Sequence, residues 1–164
     1  MDNYSINEKT SILIDKIKEK FPIGEKKSAI IESLLLLQHE NKGHITKDMI
    51  QALSKYLSVE EIDVYEIATF YTMFNTKPVG KNVIAVCNNV SCMLRGSDEI
   101  LKHIEQKLEI KVGESTKDNL FFLKDEAECL AACNGAPMMQ VNHNNYENLT
   151  IEKVDKILED LKWM

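Results

Sequence analysis

The four cysteines of the chain stand as two pairs, Cys87-Asn88-Asn89-Val90-Ser91-Cys92 and Cys129-Leu130-Ala131-Ala132-Cys133. Thiolates are soft ligands that suit zinc and iron–sulfur clusters, so two thiol-bearing loops make a metal cage. Structural zinc favours tight knuckles, commonly with two residues between paired cysteines, because all four sulfurs must reach one small ion at about 2.3 Å. A [2Fe-2S] cluster takes two ligands per iron and fits wider loops, such as the four and three intervening residues here. Spacing therefore favours an iron–sulfur cluster and leaves zinc open, as the staple of a non-redox interaction module. A disulfide reading is weakest, because nothing in the sequence points to an oxidising compartment.

Other chemistry finds little support. Gly80, Gly96, Gly113 and Gly135 are isolated, so neither a dinucleotide fingerprint nor a phosphate loop can be assembled, and the chain is expected to bind neither FMN nor NADH by itself. His39, His44, His103 and His143 are scattered, with no nucleophile beside them in a triad-like setting. Net charge is −6, both halves are acidic, and Arg95 is the sole arginine, which excludes a phosphate-neutralising surface for nucleic acid. No apolar stretch approaches the roughly 20 residues that cross a bilayer, and Met1-Asp2-Asn3-Tyr4-Ser5 lacks a secretory pattern. The expectation is a cytoplasmic chain without membrane insertion, its cysteines reduced.

The elements that position the cysteines follow from periodicity. Cys87 ends the β-branched run Val83-Ile84-Ala85-Val86, and Cys129 opens a small-residue loop that stops at Ala136-Pro137, so each pair sits in a loop beside a strand end. Residues 1–78 read as a helical bundle. Ser5-Ile6-Asn7-Glu8 is a capping box for a first helix through Phe21, and a second helix runs from about Lys26 to Asn41. Thr46 caps a third, and Ser58-Val59-Glu60-Glu61 launches a fourth over Ile62 to Phe74, whose Phe70 and Phe74 are expected in the core.

The turn-rich stretch Asn75-Thr76-Lys77-Pro78-Val79-Gly80 marks the domain boundary. Residues 79–164 then read strand (81–86), cysteine loop, helix (98–108) capped by Ser97, strand (119–123), cysteine loop, strand (138–142), a turn at His143-Asn144-Asn145, a short strand and a helix (151–162) capped by Thr150. This β-α-β, β-β-α order gives a small sheet with helices on its faces, so the fold class is α+β, a helical bundle followed by an α/β domain.

Cys87-x4-Cys92-Met93-Leu94-Arg95-Gly96-Ser97, followed by Glu128-Cys129-Leu130-x-Ala132-Cys133-x-x-Ala136-Pro137, resembles the thioredoxin-like [2Fe-2S] subunits of respiratory complex I, the bacterial NADH:quinone oxidoreductase. The resemblance takes in residues 64–75 and Tyr146-Glu147-Asn148-Leu149-Thr150 and runs from about residue 25 onward. It implies a thioredoxin-like fold, one [2Fe-2S] cluster on Cys87, Cys92, Cys129 and Cys133, and one-electron transfer without catalysis in this subunit. It also implies that the helical bundle of residues 1–78 docks to a flavin-bearing partner that holds FMN and NADH, alongside other hydrophilic-arm subunits, in a complex peripheral to the inner face of the cell membrane. The alternative is the equivalent subunit of a soluble NAD-linked hydrogenase or formate dehydrogenase.

Three local expectations remain. Asp125, Glu126 and Glu128 precede Cys129, and negative charge there would disfavour an added electron, whereas Arg95 would act oppositely if it turned inward. At Ala131 the family usually has glycine, and an ordinary negative φ is expected because alanine in the left-handed region costs about 1 kcal/mol. Asn134-Gly135 also departs from the pair common before Ala-Pro.

Overall fold

The computed structural model describes residues 4–125 and 129–163. The chain divides after Pro78 into two compact units.

The first unit holds helices α1 (Glu8–Lys18), α2 (Ile30–Glu40), α3 (Lys47–Leu57) and α4 (Glu61–Phe70), with a 3-10 turn over Lys26–Ala29 leading into α2. Ile14, Ile30, Leu34, Leu37, Leu53 and Val64 form its buried centre. Thr46 caps α3 where the sequence predicts, accepting from the Met49 amide at 3.3 Å. Two starts move. Asn7, not Ser5, caps α1 by accepting from the Thr10 amide at 2.9 Å, since asparagine serves as well as serine and stands nearer the apolar repeat. Ser58 does not open α4; it adopts φ 55° and closes α3, leaving Glu60 as the N-cap of α4.

Helix α4 also ends at Phe70, short of the expected Phe74, because Tyr71 turns extended at ψ 125°. The segment beyond is pinned by Gln38, whose Nε2 donates to the Met73 carbonyl at 3.0 Å and whose Oε1 accepts from the Asn75 amide at 2.7 Å. That tether carries Phe74 into the core, 7% exposed, while Phe70 stays outside at 76%, against the expectation that both are core.

The second unit contains β1 (Asn82–Val86), α5 (Val90–Met93), α6 (Ser97–Leu108), β2 (Glu114–Ser115), β3 (Phe121–Leu123), β4 (Met139–Val141), β5 (Asn144–Tyr146) and α7 (Ile151–Lys162). The sheet order is β2-β3-β1-β4-β5. β1 runs parallel to β3, with Asn82 opposite Phe121 and Ile84 opposite Leu123, and antiparallel to β4. The two-residue β2 is an edge strand too short to leave a periodic signal. The hairpin turns at Asn142 and His143, φ 48° and 72°, one residue earlier than expected; two left-handed residues match the twist of the flanking strands.

Ile84, Ile104, Phe121, Leu123, Met139 and Val154 lie at the centre of this unit, and Thr150 caps α7 through the Lys153 amide at 3.3 Å. Ser97 is not the cap of α6. Gly96, at φ 90°, occupies that position, and Ser97 becomes the first helical residue, fully buried. Gly80 leads into β1 pressed against its neighbour, where a Cβ would stand 2.5 Å from the Phe121 carbonyl carbon.

The parallel pairing decides where the cysteines meet. Parallel strands end at the same sheet edge. Cys87 follows the last residue of β1, and Cys129 lies six residues beyond the last residue of β3, so the two loops emerge side by side.

Candidate metal centre

Cys87 leaves β1 with its amide donating to the Met138 carbonyl at 3.1 Å, which extends the β1–β4 pairing by one rung. Cys92 sits in the single turn α5, whose geometry turns the sulfur inward while Val90, Met93 and Leu94 face solvent. Cys87 and Cys92 are 2% and 1% exposed and pack with Ala136 and Met138, against which Leu130 and Ala132 also lean. Cys129 and Cys133 are exposed, and Cys133 opens a 3-10 turn through Gly135. The structure thus brings all four predicted residues to one sheet edge, two at the inner wall and two at the rim, and none is in a disulfide.

The sulfurs interact directly. Burial pushes the Cys87 thiol up, but the Leu130 and Asn89 amides donate to its sulfur, with the Cys92 and Cys129 thiols adding to them, and together they hold it below the usual thiol range. Cys92 is raised by burial, then by the neighbouring Cys87, partly offset by the Met138 amide donating to its sulfur. Cys133 also acts electrostatically on Cys92. Three backbone amides therefore converge on two buried sulfurs, the arrangement that stabilises anionic sulfur in a metal centre.

The second loop is tied at both ends. The Asn148 amide donates to Gly135 at 2.6 Å and the Leu149 amide to Pro137 at 2.9 Å; the Ala136–Pro137 peptide is cis. Glu147 lies over Gly135 so closely that a side chain there would collide with it. From the first loop, Arg95 Nη1 donates to the Ala136 carbonyl at 3.3 Å. Ala131 departs from expectation: its φ is 58°, in the left-handed region. Glu126 and Glu128, expected to lower a cluster potential, lie outside the described residues; Asp125 is exposed.

Among the described residues no group of three or more His, Cys, Asp or Glu side chains is placed to hold a single metal ion. Four thiols linked pairwise from two loops, with amides aimed at the sulfurs, suit a group that divides its ligands between two irons, so the donor set fits a [2Fe-2S] cluster. The Leu130, Asn89 and Met138 amides are not evident from the sequence. Backbone donors carry no side-chain signature; strand pairing places Met138 beside Cys87, and the folded course of the two loops brings in Asn89 and Leu130.

A family model described as thioredoxin-like [2Fe-2S] ferredoxin matches residues 14–162. The E subunit of NADH-quinone oxidoreductase from Rickettsia bellii is 46% identical over 160 residues, covering 98% of this chain and 95% of the relative. The E subunit numbered 2 of the same enzyme from Rhizobium meliloti is 40% identical over 149 residues, 91% and 86% of the two chains. Among solved structures, an NAD+-reducing [NiFe]-hydrogenase in its air-oxidised state aligns with a TM-score of 0.66 at 21% identity, over 79% of this chain and 22% of that one. Its H2-reduced state gives 0.67 at 20% identity, over 80% and 22%. That likeness shows the fold. Among the described residues no helix is long and apolar enough to cross a membrane.

Proposed function

The chain belongs to the thioredoxin-like [2Fe-2S] ferredoxin family, and we propose that it is the electron-carrying E subunit of an NADH:quinone oxidoreductase, with Cys87, Cys92, Cys129 and Cys133 ligating one [2Fe-2S] cluster. The observation that carries the reading is the meeting of two cysteine loops at one sheet edge, in a chain similar along nearly its whole length to subunits of that name. When bound, such a cluster supplies a one-electron couple and no acid–base or group-transfer chemistry.

The chain's own residues supply the rest. The buried Cys87 and Cys92 keep water from the inner pair of sulfurs, and the Leu130, Asn89 and Met138 amides offset negative charge there. The exposed Cys129 and Cys133 put the opposite pair at the surface, where an electron can enter from a partner. FMN and NADH belong to that partner, a flavin-bearing subunit; this chain has no nucleotide site of its own and is not itself catalytic.

In the helical unit, Ile62, Tyr65 and Phe70 of α4 stand exposed at helical spacing, with Tyr71 packed edge-on to Phe70 at 5.1 Å. That surface docks to the flavin-bearing subunit, in a complex peripheral to the inner face of the membrane, into which this chain does not insert. A second reading, the equivalent subunit of an NAD-linked hydrogenase, draws on the hydrogenase fold match, which lies at 20–21% identity against 40–46% for the quinone oxidoreductase relatives.

Protein purified without oxygen is expected to contain two irons and two acid-labile sulfides per chain, with visible absorption that bleaches on one-electron reduction. Stoichiometric zinc, or four irons per chain, overturns the assignment.

A further inference from the structure

We propose that Arg95 sets the reduction potential of the metal centre through its charge, as a positioning residue that the fold ties to both cysteine loops; this rests on the ligand assignment above. Arg95 stands three residues past Cys92, and its amide donates to the Cys92 carbonyl at 3.1 Å. Gly96 follows at φ 90°, a conformation that glycine adopts without strain, and turns the chain from α5 into α6, so Arg95 is held at a fixed corner. From that corner its Nη1 reaches the Ala136 carbonyl. Ala136 packs against Cys87, Cys92 and Met138, and its own amide donates to the Cys133 carbonyl at 3.3 Å. The guanidinium is therefore anchored on the backbone between the two loops. Among the described residues no ion pair engages it.

The sign follows from charge. Two ferric ions, two sulfides and four thiolates are doubly negative, and taking one electron from the reduced flavin of the partner makes them triply negative without making or breaking a bond. A fixed cation stabilises the second state more than the first and raises the potential. Arginine keeps that charge at every accessible pH. Because Arg95 is exposed, salt must screen part of the effect.

The test is an EPR-monitored redox titration of the anaerobically purified chain beside R95Q and R95K. In R95Q the ratio of reduced to oxidised cluster at a fixed ambient potential is expected to fall about tenfold at low salt, a shift of about 59 mV for a one-electron couple. R95K is expected to stay close to the wild type, and the gap between wild type and R95Q to narrow as salt is raised. R95H supplies the charge switch within one fold: its potential should rise as pH falls through the imidazole range, more steeply than the wild type's. It also serves where R95Q loses iron. A wild type without a cluster refutes the ligand assignment. An iron-replete R95Q with the wild-type potential, an R95K displaced as far as R95Q, or an R95H that follows the wild-type pH profile overturns the role of Arg95 alone.

Discussion

Ala131 holds a conformation that its side chain disfavours. At φ 58° the Cβ crowds its own backbone, at a cost of roughly 1–2 kcal/mol. The neighbouring amides compensate: Leu130 donates to the Cys87 sulfur, and the Ala132 carbonyl accepts from Gly135 at 3.0 Å, so the loop is fixed on both sides of Ala131. A131G should therefore stabilise the second unit by about 0.5–1 kcal/mol, the relief of strain less the added freedom of the unfolded chain. A raised denaturant midpoint together with slower release of iron to a chelator would bear this out, whereas a lowered midpoint would show that the alanine is not strained. The cysteines are legible in the sequence because their chemistry resides in side chains at a fixed spacing. The backbone at Ala131 is not, because its local preference points to a negative φ and the cross-loop amides that outweigh it leave no mark on the sequence.

At the scale of elements, caps that lie beside their own helix are legible, as at Thr46 and Thr150. Ser58 and Ser97 mislead because each also matches the cap pattern of a helix whose start is taken over by a neighbour, Glu60 and Gly96. The β-α-β, β-β-α order is legible from runs of apolar residues, but the edge strand Glu114–Ser115 has too few residues to show alternation. Packing of α6 on α7 includes an ion network that periodicity does not reveal: Asp155 lies 2.7 Å from His103 Nε2 and 3.2 Å from Lys107 Nζ. His103 and then Lys107 hold the Asp155 carboxyl below the usual carboxylate range. A depressed carboxyl stabilises the fold above its unfolded pKa, about 3.9, and loses that contribution as pH falls through its lower folded value. D155N should thus melt below the wild type at neutral pH, with the gap closing as pH falls below about 4; a gap that persists at pH 2 would assign the effect to packing instead.

For the whole molecule, one unit carries the sulfur loops and the other an exposed aromatic surface on α4, the surface proposed above for docking. Phe70 contributes little to folding at its exposure, so F70A should shift stability by less than about 0.5 kcal/mol. Co-purification with the flavin-bearing subunit should nevertheless drop, and undiminished capture with an intact far-ultraviolet spectrum would remove α4 from the interface. The parallel pairing of β1 with β3 has a further consequence, for synthesis. The half-site on β1 is complete at Cys92, and its complement begins at Cys129, 37 residues later. At about 5–20 residues per second on the ribosome, the first pair of thiols waits roughly 2–8 s until Cys133 completes the second. During that interval the nascent chain offers a two-thiol fragment that can capture stray metal but cannot enclose a cluster. Cofactor delivery therefore belongs after translation of the second loop, and a slow stretch of messenger between the two pairs would lower the loaded fraction without altering one amino acid.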